Sequence, residues 1–479
     1  MKLCIFFYSF LYLQVKKGEA TVVPYTEQNN IIDECGDFGM LVNAAKDVYK
    51  IPPEAFDSYR IKRGLREPDG TGVMAGVTKI GNAHGYVVSE AEKTPVDGML
   101  EYRGVDMSAM IDGFVAENRY GFEECIYLLL FGKLPNKQEL DNFTAILANR
   151  RHLPRRFTED VLMNVPSRSI MNKMSIGVLS LYSYDENPDD TSLDNMLRQC
   201  IEIIAKLPII AAHSYAVYRS AYFGKSLNLH KAHDDIGTAQ NFLRILRSNK
   251  QYTEEEAKLL DLCMVIQAEH GGGNNSTFSC RVLSSSGTDT YSAISAAIGS
   301  LKGPLHGGAN IKVQEMFDCI KENIKDINDD EEITAFLTKI LNKEACDGKG
   351  LIYGMGHAVY TKSDPRAVML KKYAEKLAID KGYGDDFKLL EAIERITPDL
   401  FNSFKGTNRV MCANVDLYSG LVYRMLGIPT EMYTPLFAIA RVAGWCAHRI
   451  EEYQTAKKII RPAYKFTAPK QIYIPLDQR

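Results

Sequence analysis

Three histidines stand at breaks of the chain, each with glycine beside it. His270 ends a helical run in "AEHGGGNNST", His306 follows Pro304 in "GPLHGGAN", and His357 lies in "GMGHAVYTKSDPRA". A histidine at a helix terminus has its ring fixed against free backbone groups, and glycine lets a ligand come close to the chain. Taken singly, each reads as a capping or buried structural histidine. Three in the same setting shift the reading to hydrogen-bond or proton-transfer chemistry.

A carboxylate is at hand in "CANVDLYSGLVYRMLGIP", where Asp416 precedes a Tyr-Ser-Gly turn and an amphipathic helix. An acidic residue there also serves as a plain N-cap. Arg441 falls inside the apolar helical stretch "FAIARVAGWCAHRI". A guanidinium in such surroundings must find an anion, because leaving it unpaired costs several kcal/mol. With Arg366 in "SDPRA" and Arg461 in "IIRPAY" it forms a set suited to a small polycarboxylate, which arginine holds in a bidentate fork.

Other chemistries lack their parts. "HGGG" at 270–273 matches the oxyanion-hole string of some esterases, but no G-x-S-x-G elbow accompanies it, so a serine esterase is disfavoured. There is no P-loop and no H-E-x-x-H, and "GTGVMAG" at 70–76 has turn spacing. His230 and His233 in "LHKAH" have no third ligand signalled, so no metal is expected. A formal net charge of -3 supplies no basic face for nucleic acid. Ten cysteines without a C-x-x-C pair argue against a zinc ribbon or a dense disulfide framework and fit a reducing, cytoplasmic setting.

The elements that must position these residues are mostly helices. A chain of 479 residues, 46% hydrophobic, can bury a large core in two or three domains. Apolar spacings of three and four predict helices over 254–269, 291–302, 332–341, 369–376 and 435–453, while strand alternation is confined to pieces such as "GYVVSE" at 85–90. Gly, Asn and Pro break the helices at 187–190, 270–275, 303–308 and 382–386. The apolar run from Leu3 to Val15 is too short for an ordinary membrane span. With no A-x-A site after it, it reads as an extension or a mis-assigned start rather than a signal.

Taken in order, "EHGGGNNST", "GPLHGGAN", "GMGHAVYTKSDPRA", "NVDLYSG", "FAIARVAGW" and a late "RP" resemble citrate synthase, and "EYRG" at 101–104 is similar to that family's early segment. The resemblance covers roughly residues 55–470. It implies an all-α fold with an N-terminal extension over 1–54, a large helical domain over 55–307, a smaller domain over 308–427 that closes over the substrates, and a return to the large domain with a C-terminal arm over 428–479. It implies condensation of acetyl-CoA with oxaloacetate and hydrolysis of the thioester, with no permanently bound cofactor. Asp416 becomes the base, His306 the donor to the thioester oxygen and His357 the donor to the ketone. His270, Arg366, Arg441 and Arg461 hold the carboxylates, the last reaching across a homodimer interface, and Asn274 and Ser276 orient the histidines.

For the CoA moiety the resemblance suggests the "LIYGMG" backbone, with Leu351, Gly354 and Met355 at the adenine and Lys362 or Arg409 at phosphate. Some members carry an arginine soon after "GHAV", where this chain has Thr361 and Lys362. Many have a second histidine three residues before the one matched by His270; Gln267 stands there, and this should matter little because His270 is the matched ligand. Two alternatives remain: a 2-methylcitrate synthase using propionyl-CoA, since one methylene is worth only about 1–3 kcal/mol in a pocket, and an inactive helical scaffold. The scaffold would be expected to lose one of His306, His357 or Asp416, and all three are present.

Overall fold

A computed structural model describes residues 49–479, apart from 68, 69, 90, 91 and 456, together with short pieces before residue 49. The apolar run that begins at Leu3 lies outside the described residues but for Val15. The chain divides into two compact units, residues 1–73 with 463–479, and residues 74–462.

The larger unit opens with an antiparallel hairpin, β1 (Gly81–Ser89) and β2 (Glu92–Tyr102), irregular between His84 and Tyr86 and extended by the two-residue β3 (Val105–Asp106). Helices follow: α1 (Met107–Ala116), α2 (Phe122–Phe131), α3 (Lys137–Arg150), α4 (Ile170–Leu181), α5 (Leu193–Phe223), α6 (Thr238–Leu246), α7 (Glu254–Gln267), α8 (Asn275–Ser285) and α9 (Thr290–Leu301). Then come α10 (Ala309–Asn323), α11 (Asp330–Leu341), α12 (Pro365–Asp380), α13 (Gly384–Lys405), α14 (Val415–Met425) and α15 (Tyr433–Thr455). One continuous hydrophobic core runs from Ile80 to Ala447, and α10 to α14 pack on one another within it.

Local chemistry sets the helix ends. Thr253 and Glu256 form a reciprocal capping box at the start of α7, with three glutamates in its first turn against the helix dipole. Asp364 caps α12, and Pro365 occupies its first turn, where a missing N–H is harmless. α5 is long and apolar enough to cross a membrane by composition, yet 72% of its apolar window is buried inside the protein, packed against α4 and α15.

Two expectations need correction. Tyr418, Ser419 and Gly420 form no turn but lie within α14, because α10 packs closely there. A Cβ on Gly420 would stand 3.1 Å from Asn310 Oδ1, and Asn310 Nδ2 donates to Ser419 Oγ. The cysteines are not all reduced: Cys319 of α10 and Cys346 of the loop after α11 form a disulfide, while six other described cysteines are free. The sequence held no sign of this pair, whose members are brought together by the turn after α11.

In the smaller unit Arg66 bridges Gly72, closing the turn expected around residue 70, and a short helix spans Pro53–Ser58. Its C-terminal segment carries exposed Tyr464, Phe466, Ile472 and Tyr473.

Candidate active site

His270 sits just beyond the last turn of α7, in the sequence break that the glycines create. Its ring meets that of His357 edge to face at 5.2 Å and that of Tyr360 at 5.5 Å, while His357 stacks on Tyr360 at 4.8 Å. Three rings from two distant segments thus make one wall. His357 Nδ1 accepts from the amides of Val359 (3.0 Å) and Tyr360 (3.2 Å), which favours a proton on Nε2, and Arg366 Nη2 stands 3.4 Å from that Nε2. Burial drives the His270 imidazole well below its usual value, and Arg366, His357 and Arg441 add to the effect. The ring is neutral, and its Nε2 is buried with no partner in the protein.

Arg366 opens α12 beside this wall. Asp364 grips it twice, Oδ1 accepting from Nε (3.0 Å) and Oδ2 from Nη2 (2.8 Å). Burial works against the guanidinium's charge, but Asp364 more than reverses it, so the pKa rises. The same Asp364 Oδ2 accepts from the Val415 amide (3.3 Å), which ties Arg366 to the first turn of α14. In that turn stands Asp416. The N-cap is Asn414, whose Oδ1 accepts from the Asp416 amide (3.0 Å), so the aspartate side chain is free of the capping role. Asp416 keeps part of its surface open but lies deep in the molecule. Burial pushes its carboxyl up to about 6; Arg366 pulls the other way and Asp364 adds to the rise.

Arg441 of α15 is wholly buried. Its Nε donates to Gln267 O (2.6 Å), and its plane lies over the Phe437 ring at 4.7 Å. Nη1 and Nη2 are buried without a partner, so of the two anions the sequence left open, an internal carboxylate or a bound one, the internal carboxylate does not satisfy this fork. Burial lowers its pKa to about 10, Glu269 opposing and Arg366 assisting.

His306 occupies the loop between α9 and α10. The Ser276 amide points at its Nε2 (3.4 Å) and Ser276 Oγ lies 3.0 Å away, while Ser276 Oγ also reaches Asn274 Oδ1 (2.9 Å). The Ser276 amide favours Nε2 as an acceptor, which leaves the proton of the ring on Nδ1. Burial, then Arg441, lower the His306 pKa to about 4, so it is neutral at physiological pH. The glycines around it serve the chain itself: a Cβ on Gly307 would overlap Leu301 O, and one on Gly308 would lie 2.9 Å from Pro304.

The remaining sequence-derived positions are less concentrated. Gly354 O and Gly356 N bond to Asn414 N (2.8 Å) and Cys412 O (2.7 Å), and Met355 pairs with Ala413, so this backbone is spoken for by the strand leading to Asp416. Leu351 and Arg409 are exposed, and Lys362 is paired with Asp97 (3.0 Å) on β2. Arg461 is exposed and joins none of these contacts. Its neighbour Ile460 bonds to Ser285 Oγ, about 14 Å along α8 from Ser276. Sequence reasoning missed Asp364 and Tyr360. The Asp-Pro pair that starts α12 was a signal for the first; nothing marked the second.

Three imidazoles, those of His270 and His306 neutral, and one carboxylate of raised pKa are thus gathered around Arg366 and the open fork of Arg441. The family model "Citrate synthase, C-terminal domain" matches residues 71–463. Citrate synthase of Haloferax volcanii is 34% identical over 420 residues, covering 85% of this chain and all of its own. The 2-methylcitrate synthase of Shewanella oneidensis is 33% identical over 385 residues, 79% of this chain and 92% of its own. Among solved structures, the ternary complex of carboxymethyl coenzyme A and oxaloacetate with citrate synthase from Thermoplasma acidophilum superposes with a TM-score of 0.69 at 26% identity, over 88% of this chain and 99% of that one. The chain belongs to the citrate synthase family. It is an acyltransferase of the condensing kind.

Proposed function

We propose that this cleft condenses acetyl-CoA with oxaloacetate and water to give citrate and CoA, with the residues in the following roles. Oxaloacetate lies against His270, Arg366 and the open fork of Arg441. Asp416 removes a proton from the acetyl methyl group while His306 Nδ1–H bonds to the thioester oxygen, so that an enol forms rather than a bare enolate. The enol carbon attacks the ketone of oxaloacetate, and His357 Nε2–H donates to the oxygen as it gains charge. Water then cleaves the thioester.

The observation that carries this reading is the pair of imidazoles at His306 and His357. At His357, Nδ1 is filled by two backbone amides, and at His306, Nε2 faces the Ser276 amide and hydroxyl, so the roles above use the other nitrogen of each ring. Two such neutral donors suit two oxygens that gain charge in succession. Closure of a segment over 308–427 on the rest completes the cleft.

The same reading makes the protein a homodimer in which Arg461 serves the neighbour's cleft; its place at the far end of α8 within its own chain supports this. A cytoplasmic location is part of it, although the Cys319–Cys346 disulfide runs against a fully reducing setting. The test is thiol release from acetyl-CoA and from propionyl-CoA, each with and without oxaloacetate. Oxaloacetate-dependent release favouring acetyl-CoA is expected. A propionyl preference would move the chain to 2-methylcitrate synthesis, and no release from folded protein would overturn both.

A further inference from the structure

One face of α15 is turned to the segment that follows α7. Arg441, Gly444, Trp445 and His448 recur on it at the three- and four-residue spacings of a helix. Gly444 allows the close approach, since a Cβ there would overlap Glu269 Oε2. Trp445 Nε1 donates to Ser276 Oγ (3.2 Å), and His448 Nε2 lies 2.8 Å from Glu269 Oε1. Neither Trp445 nor His448 touches any group given a chemical role above.

Each nonetheless leads to one. His448 is fully buried, and its Nδ1 accepts from Arg281 Nη2 (2.6 Å) and Nε (3.1 Å), which places its proton on Nε2 and directs it at Glu269. Arg281 is itself fixed by Glu452 (2.6 Å) and by Glu451. Glu269 Oε1 also accepts from the Gly271 amide at 2.5 Å, closing the turn from which the His270 ring hangs, with Gly271 at φ 84°. The other branch is shorter. Trp445, the chain's single tryptophan, holds the Ser276 hydroxyl that lies 3.0 Å from His306 Nε2.

We propose that His448 and Trp445 are positioning residues for the two halves of the reaction, His448 acting through Glu269 on His270 and Trp445 acting through Ser276 on His306. The inference rests on the roles proposed for those two histidines. Its consequence is a division of effects. The His448 branch governs how oxaloacetate is held, and the Trp445 branch governs removal of the acetyl proton.

Steady-state kinetics on the full chain separates them. His448→Leu is expected to raise KM for oxaloacetate roughly ten- to a hundredfold with a much smaller change in kcat, and His448→Gln, which keeps a donor near the position of Nε2, to restore most of it. Trp445→Phe is expected to lower kcat, and to slow hydrogen exchange from the acetyl-CoA methyl group, by roughly tenfold while KM for oxaloacetate stays within about twofold. Parallel losses in kcat and KM from both variants with falling Tm would mean that α15 is packing alone, and unchanged kinetics in Trp445→Phe would remove that branch. Should His448→Leu fail to fold, Glu269→Gln tests the same branch through the same KM. His306→Asn and His270→Asn serve as controls: if they do not themselves depress kcat and affinity, the assigned roles fail, not the positioning.

Discussion

His270 and His357 meet edge to face at 5.2 Å, one at the end of α7 and the other in the loop before α12. Burial, then Arg366, His357 and Arg441, hold the His270 pKa well below its usual value, so this ring is neutral. Oxaloacetate would then be held by two fixed cations and oriented by two neutral rings.

Replacement of Asp416 separates activity from stability. Its folded pKa, about 6, exceeds the ordinary aspartate value, so between roughly pH 4 and 6 the native state binds the proton that the unfolded chain has released. Stability from this group is full below about pH 4 and lost as pH rises to about 6. At neutral pH the ionised carboxylate costs roughly 1–3 kcal/mol. Asp416→Asn is expected to lose at least a thousandfold in kcat yet unfold at higher denaturant concentration at pH 7; retained turnover would refute its role as base. In the native enzyme kcat/KM should fall on acidification with a midpoint near 6.

His306 titrates with the opposite sign. Its folded pKa, about 4, lies below that of the unfolded chain, so the neutral ring favours folding above about pH 6.5 and the contribution disappears as pH falls towards 4. His306→Gln is expected to flatten this acid limb in chemical denaturation while lowering kcat at pH 7 by roughly a hundredfold or more. An imidazole resonance of His306 titrating near 6.5 would contradict the burial on which its donor role depends.

Arg441→Leu removes the open fork. Loss of charged hydrogen bonding worth about 1.5–3 kcal/mol in total should raise KM for oxaloacetate by roughly ten- to 150-fold, with KM for acetyl-CoA little changed. Isothermal titration with oxaloacetate checks this independently of turnover.

The disulfide between Cys319 and Cys346 spans 27 residues and joins α10 to the loop before Leu351. The loop-entropy model assigns such a closure about 3–4 kcal/mol. Reductant, or Cys319→Ser, is expected to lower the unfolding free energy by a comparable amount and so lower the denaturation midpoint. An unchanged midpoint under reductant would show that the pair is not bonded in solution.

Legibility of the molecule in its sequence followed distance along the chain. Helices α7, α9, α11 and α15 were evident from apolar spacing, and α12 was recognised only from 369 to 376 although the Asp364–Pro365 start was available. α5 went unmarked because Pro208 interrupts its pattern, and β2 because Pro95 and Gly98 deny it strand alternation. The three histidines, Asp416 and Arg441 declared themselves by sitting where their residue types are out of place. Apart from Asn274 and Ser276, what stayed hidden were the partners that fix them. Asp364 to Val415, Trp445 to Ser276 and His448 to Glu269 are contacts between remote segments, and each partner alone is an unremarked residue in a helix or cap.

Arg441 Nη1 and Nη2 and His270 Nε2 are buried polar atoms that the protein itself does not satisfy. A dicarboxylate that supplied those bonds would bind the folded chain and not the unfolded one, and at a hundred times its dissociation constant would add about 2.7 kcal/mol to stability. Substrate binding is then expected to protect the fold, so that unfolding and proteolysis slow where oxaloacetate is abundant.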